Sequence, residues 1–296
     1  MQKRNILNSP RLLELKKRRR RVFQNKILLS LLATLAVFAS LAYLSRLPGL
    51  NIDGVKIVGN KVTDTSLIEM SIKRELAGRY LWIFPRTNIL IYPKKTIIKK
   101  LSSEFKRLDD IDLAVENTRS LEVSVSERSG LYVWCGNSLP EPENPTGDPQ
   151  CYFLDKDGYI FDEAPYFSGE VYFKFYGLVN GKSGVAGNYF LDGNFTKLIS
   201  FIKMLEDVEL KPVALYAEDS GDIRVFLSAR GLPVQAGVTR SPEIIFKNTT
   251  DFEKVAENLQ LAIGTEPLKS NLKNKYSSLR YIDLRYGNKV YFKFDE

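Results

Sequence analysis

Histidine is absent from all 296 residues of this chain, and the gap removes several chemistries at once. There is no Ser-His or Cys-His pair, no His-containing metal site and no imidazole to act as a base near neutral pH. Cysteine is nearly absent too, with only Cys135 and Cys151. Acidic residues are scarce at the start. Residues 1–26 hold Lys3, Arg4, Arg11, Lys16, Lys17, Arg18, Arg19, Arg20, Arg21 and Lys26 against the single acid Glu14. The chain as a whole carries +8, so everything after that tail is close to neutral. No RNA-reading aromatic motif or later basic stripe accompanies the tail, and no nucleic acid is expected as a partner. Nor is any cofactor or metal.

Directly after the tail the chain turns apolar. Residues 27–44 read ILLSLLATLAVFASLAYL, a run without a charge. At about 1.5 Å per helical residue it covers a hydrocarbon core of ~30 Å. Arg46 can snorkel outward, which extends the expected transmembrane helix to 27–47. The positive-inside rule assigns residues 1–26 to the cytoplasm and the rest to the outside, a single-pass type II topology in the cell membrane. A cleaved signal peptide competes, since Ser40 and Ala42 resemble a cleavage site, but the basic region before the apolar run is unusually long for one, and an uncleaved anchor is favoured. The lipid bilayer is therefore an expected partner.

The outer part is expected to be α+β. A strand over 55–58 leads through Gly59-Asn60 to a helix over 66–77, capped by Asp64 or Thr65, with Leu67, Ile68, Ile72 and Leu76 inward. Residues 80–84 (YLWIF) are an aromatic run, read as core with an exposed docking patch as the alternative. A second helix is expected from Pro93 to Leu108, with Ile97, Ile98, Leu101 and Phe105 inward. Strands at 111–116 and 121–127 meet at Asn117. Beyond them the pattern predicts an antiparallel sheet with helices. Its expected strands are 131–134, 152–154, 159–161, 171–176, 213–217, 223–227, 234–236, 243–246, 279–285 and 290–294. Its expected helices are 196–208 and 252–263. Cys135 and Cys151 flank a loop containing Pro140, Pro142, Pro145 and Pro149. On the outside, a disulfide across its base is favoured over two free thiols.

Four motifs in order give a resemblance. Val58-Gly59-Asn60 with Thr63 precedes a helix. LEVSVSER over 121–128 leads to Trp134. Asp155-Lys156-Asp157-Gly158 is followed by Phe161, and YIDLR over 281–285 precedes a final strand. Beside a single span, these resemble the FtsQ/DivIB family of bacterial division proteins. Two features depart from the family: Arg119-Ser120 replaces a frequent proline, and the proline-rich insert is longer. The resemblance implies a POTRA domain (β-α-α-β-β) over 50–128 and a β-rich partner-binding domain over 129–296. It also implies a non-enzymatic scaffold at the division septum. Such a scaffold binds FtsB/FtsL-type single-span proteins, contacts other divisome members through the POTRA domain, and helps regulate septal peptidoglycan synthesis.

The final hairpin holds the candidate site: Arg285, Tyr286, Lys289, Val290, Tyr291, Phe292 and Lys293. Val290 and Phe292 alternate with Lys289, Tyr291 and Lys293, and a terminal strand at a sheet edge can pair with an added strand. The competing role for the two lysines is to blunt that edge against aggregation. Asp283 and Arg285 share one face, which reads as an ion pair of little worth. Asp155-x-Asp157 begins like a calcium loop, but Tyr159, Ile160 and Tyr166 stand where ligands and glycine belong, so a β-turn is expected. Asp157, Asp162 and Glu163 could form a glycosidase-like acid pair, although nothing in their spacing selects it. A membrane-anchored extracytoplasmic hydrolase is thus one rival function. A POTRA-type translocation or assembly component is another, without the repeats or barrel it needs.

Overall fold

The computed structural model describes residues 10–117, 119–140, 150–165, 167, 171–179, 184–228 and 241–295. The expected strand at 234–236 and the prolines at 142, 145 and 149 lie outside them. The chain divides into two compact units. One holds the chain up to Ser102 with Asp110–Ser126, the other Ser103–Asp109 with Glu127–Glu296.

The first unit opens with α1, Pro10–Leu44. It is the one helix among the described residues long and apolar enough to cross a membrane, consistent with a single-pass anchor. The basic run belongs to the same helix, and the helix ends at Leu44 rather than at 47. Pro48, with no N–H to donate, opens a short 3-10 turn, Pro48–Leu50, instead. Then come β1 (Gly54–Val58), α2 (Thr65–Leu76), β2 (Arg79–Tyr80), β3 (Phe84–Pro85), α3 (Lys94–Glu104), β4 (Leu108–Glu116) and β5 (Ser120–Glu127). The three-stranded sheet runs β1-β5-β4, with β1 parallel to β5 and Val55 opposite Leu121.

Helix α2 starts where expected, because the Asp64 carboxylate accepts the Ser66 N–H at 2.8 Å. Gly78 leaves the helix at φ +102, a conformation open to glycine. Ile68, Ile72 and Leu76 are buried with Ile97, Leu101, Leu121 and Val123. Each such side chain stabilises the unit by roughly 1.5–3 kcal/mol. Leu67, expected inward, is exposed, and Ser71 takes the buried place on the stripe. Helix α3 stops short of Leu108, which opens β4.

The YLWIF run is not core. Strands β2 and β3 pair through Tyr80 and Phe84, and the turn between them carries Leu81 at φ 47 and Trp82 at φ 65. Leu81 is 74% and Trp82 90% exposed. Left-handed backbone at two bulky residues costs roughly 1–2 kcal/mol each. The alternation in the run is too short to bury both faces, so the turn projects its largest side chains outward.

The second unit is built on β6 (Tyr132–Trp134), β7 (Cys151–Leu154), β8 (Ile160–Ala164), β9 (Lys174–Gly177), β10 (Pro212–Ala217), β11 (Asp222–Leu227), β12 (Glu243–Lys247), β13 (Leu279–Tyr286) and β14 (Lys289–Phe294). They form one sheet in the order β14-β13-β12-β11-β10-β9-β6-β7-β8. The sheet is mixed, not antiparallel: β6–β9, β9–β10 and β12–β13 are parallel pairs. For the last two pairs the cause lies in the connections. Helix α4 (Phe195–Asp207) links β9 to β10, and α5 (Phe252–Ile263) with α6 (Leu268–Lys275) links β12 to β13. A helical crossover returns the chain to the end of the sheet where it began, so the next strand runs parallel. Helix α6 has no counterpart in the sequence-based expectation.

Phe195, Leu198, Phe201, Ile202 and Leu205 of α4, with Phe252, Val255 and Leu259 of α5, pack on one face of this sheet. They meet Phe175, Leu215, Ile223, Val225, Ile244, Phe246 and Ile282 there. The opposite face has a smaller cluster of Val133, Cys135, Cys151, Tyr176, Ala214 and Phe226. Burial in it pushes the Tyr176 hydroxyl up to about 12.

Candidate functional site

The candidate edge strand is formed by a two-period sequence over a one-sided core. In β14, Val290, Phe292 and Phe294 are half-buried against the main core, while Lys289, Tyr291 and Lys293 are exposed. Gly287, at φ +65, makes the turn from β13, and the Asn258 side chain of α5 donates to its carbonyl at 3.1 Å. On its inner side β14 pairs antiparallel with β13, Ile282 opposite Phe292 and Asp283 opposite Tyr291. Its outer side has no strand partner among the described residues. Alternate N–H and C=O groups of β14 therefore face outward, as strand addition requires.

The other edge of the sheet differs. Ile160 of β8 donates its N–H to the Asn188 carbonyl at 2.9 Å, and its own carbonyl accepts from Gly187 at 2.7 Å. Tyr159 forms a further bridge with Tyr189. The chain has thus covered part of one edge with its own backbone.

Beside the β14 edge, the sheet face opposite α4 and α5 carries a charged and aromatic surface. The Arg285 guanidinium donates to Asp222 at 2.6 Å and to both carboxylate oxygens of Asp283, at 2.7 and 3.0 Å. Asp283 is only 5% exposed. Burial pushes its carboxyl up, but hydrogen bonds from the Arg285 side chain and backbone, with the guanidinium charge, outweigh it and hold it below its ordinary value. The pair is therefore no loose surface contact, because Arg285 links β11 to β13 across the intervening β12. Arg224 of β11 pairs with Glu218 and Glu243 alongside. Burial, the larger influence, raises the Glu243 carboxyl despite that cation. Above this network stand Tyr286 and Tyr291, 58% and 49% exposed, their rings edge to face at 5.3 Å.

Of the expected site residues, Tyr286, Lys289, Tyr291 and Lys293 are presented together on an accessible strip. Val290 and Phe292 face the core, so only their backbone is open to a partner. Arg285 organises the face beneath. Alternation along β13 puts Asp283 and Arg285 on one side. Asp222, distant in sequence, gives no sequence signal for joining them.

The remaining candidates sit elsewhere. Cys135 and Cys151 form a disulfide joining the ends of β6 and β7, several strands away from β14. The Asp155 carboxylate accepts N–H groups of Asp157 and Tyr159, both at 2.9 Å, and a bond from Arg128 at 2.5 Å. Its oxygens are occupied in holding the turn. Asp162 is bound by Arg107, and Glu163 by Gln150. Among the described residues, no group of three or more His, Cys, Asp or Glu is placed to hold a metal ion. No protein-family model matches the chain, and no curated protein matches it.

Proposed function

We propose that this chain is a membrane-anchored scaffold of the bacterial division septum. In this proposal it does no chemistry; it binds FtsB/FtsL-type single-span proteins and helps regulate septal peptidoglycan synthesis. The observation that carries the proposal is the β14 edge: a strand whose outer side has no strand partner among the described residues, flanked by Lys289, Lys293 and the Tyr286–Tyr291 pair. The supporting context is an N-terminal helix fit to cross a membrane, followed by a unit in the order β1-α2-β2-β3-α3-β4-β5, which differs from the expected β-α-α-β-β by the short β2–β3 hairpin between the helices. On this reading a short segment of the partner adds to β14, main chain to main chain. The tyrosines supply contact area at low entropic cost, and the lysines set register against acidic side chains.

The test is binding of the detergent-solubilised full chain to the extracytoplasmic segments of the host's small single-span coiled-coil proteins. Tyr291→Glu places a charge on the accessible strip and should abolish binding and septal localisation without unfolding the unit. Undiminished binding by that variant refutes the β14 assignment.

A further inference from the structure

The exposed β2–β3 turn shares its position with the end of α1. Phe84 of β3 meets Phe38 of α1 edge to face, with ring centroids 5.5 Å apart. The Arg46 guanidinium, just past the helix end, donates to the Ile83 carbonyl at 3.3 and 3.4 Å. The Asn88 side chain donates to the Ser45 carbonyl at 3.0 Å. Phe38 is not at the rim of the apolar run. It lies about six residues before Leu44, or roughly 9 Å back along the helix axis. A turn held against Phe38 cannot stand clear of a bilayer that α1 crosses.

The side chains of this region suit that depth. Leu81 and Trp82 at the tip, and Leu90 on the neighbouring loop, are all strongly exposed. Arg79 and Arg86 lie at the base of the turn, and the Arg86 guanidinium is 5.2 Å from the Tyr80 ring centre. Apolar tip, aromatic belt and basic base match the sequence of acyl chain, interface and phosphate. In water the same strip would be a costly apolar patch.

We propose that the Arg79–Pro85 hairpin is a second membrane contact. Leu81 and Trp82 enter the outer leaflet beside α1, while Arg46, Arg79 and Arg86 meet lipid phosphate. The occupant is lipid rather than protein, because the patch is continuous with the lipid-facing surface of α1. The proposal rests on α1 crossing the bilayer. It adds that the first folded unit is tied down at two points, with its orientation to the membrane fixed.

Two tryptophans are present, Trp82 and Trp134, and Trp134 is buried. The full chain is reconstituted into phosphatidylcholine–phosphatidylglycerol vesicles with and without lipids brominated on the upper acyl chain. Subtracting the emission of Trp82→Phe from that of the unaltered chain isolates Trp82. Its emission should be blue-shifted, lose most of its intensity to the brominated lipid and resist aqueous acrylamide. A second variant, Leu35→Trp in the Trp82→Phe background, reports on the span itself. If Leu35→Trp is quenched by brominated lipid while Trp82 answers only to acrylamide, the hairpin lies in water and the proposal is overturned with the anchor intact. If neither is quenched by lipid, the anchor fails and the proposal falls with it.

Discussion

Arg285→Ala removes the cation on which two carboxylates beneath the β14 edge depend. The guanidinium makes three short charge-assisted bonds, one to Asp222 and two to Asp283. The Asp283 side chain is 8% and the Asp222 side chain 16% exposed, so water cannot fully replace what is lost. Removing one member of a fully buried pair costs about 3–5 kcal/mol. Arg285 is itself 28% exposed, which places the expected loss near the lower end, about 3 kcal/mol. Denaturant unfolding followed by tryptophan emission in the Trp82→Phe background reads this unit directly, since Trp134 is buried and donates to the Gly177 carbonyl at 2.9 Å. Adding Asp283→Asn to Arg285→Ala removes the more buried of the two orphaned charges and should recover about 1 kcal/mol or more. A loss under about 1 kcal/mol for Arg285→Ala, with no recovery in the double variant, would make the pair an ordinary surface contact. That result would refute the role of Arg285 as a tie between β11 and β13.

The two carboxyls near Arg285 should respond oppositely to pH. Asp283 is held below its unfolded value, so its stabilisation is present above the ordinary Asp range and is lost as pH falls through and below it. Glu243 is raised, so the folded unit favours its protonated form. Glu243→Gln should therefore gain stability relative to the unaltered chain as pH rises past the ordinary Glu value, read from unfolding midpoints at pH 4 and pH 7. Replacing both Cys135 and Cys151 by serine opens a loop of sequence separation 16, expected to cost around 3 kcal/mol in denaturant titrations with and without reductant. At Gly158 (φ +81) an added Cβ would lie 2.6 Å from the Phe195 ring and 3.0 Å from the Phe190 carbonyl. Gly158→Ala should accordingly destabilise by roughly 2 kcal/mol, measured the same way.

Local signals are legible in the sequence, and non-local ones are not. The Asp64 cap, the Asp155–Gly158 turn and the alternation of β14 each depend on a few neighbouring residues, and each stands where the pattern puts it. The sheet direction depends on connections. Reading every strand pair as antiparallel overlooks that α4 and the α5–α6 pair carry the chain back before the next strand. Helix α6 escapes notice because LKSNLKNK is mostly polar, with Leu268 alone buried. YLWIF reads as core because aromatic residues usually are. Its exposure comes from a turn whose surroundings include α1, which no window on residues 80–84 contains. At the candidate site, the exposed residues of β14 are readable, but Asp222 is not, since its bond to Arg285 joins residues 63 apart.

The most direct test of the proposed function is site-specific photo-crosslinking in living cells. A benzoylphenylalanine placed at Tyr291 of the full chain should give a covalent adduct with a small single-span coiled-coil protein at dividing septa. The same probe at Asp162, on the opposite edge of the sheet, should give none. An adduct at Asp162 and none at Tyr291, in chains that still fold and reach the membrane, would contradict the assignment of β14 as the partner-binding edge.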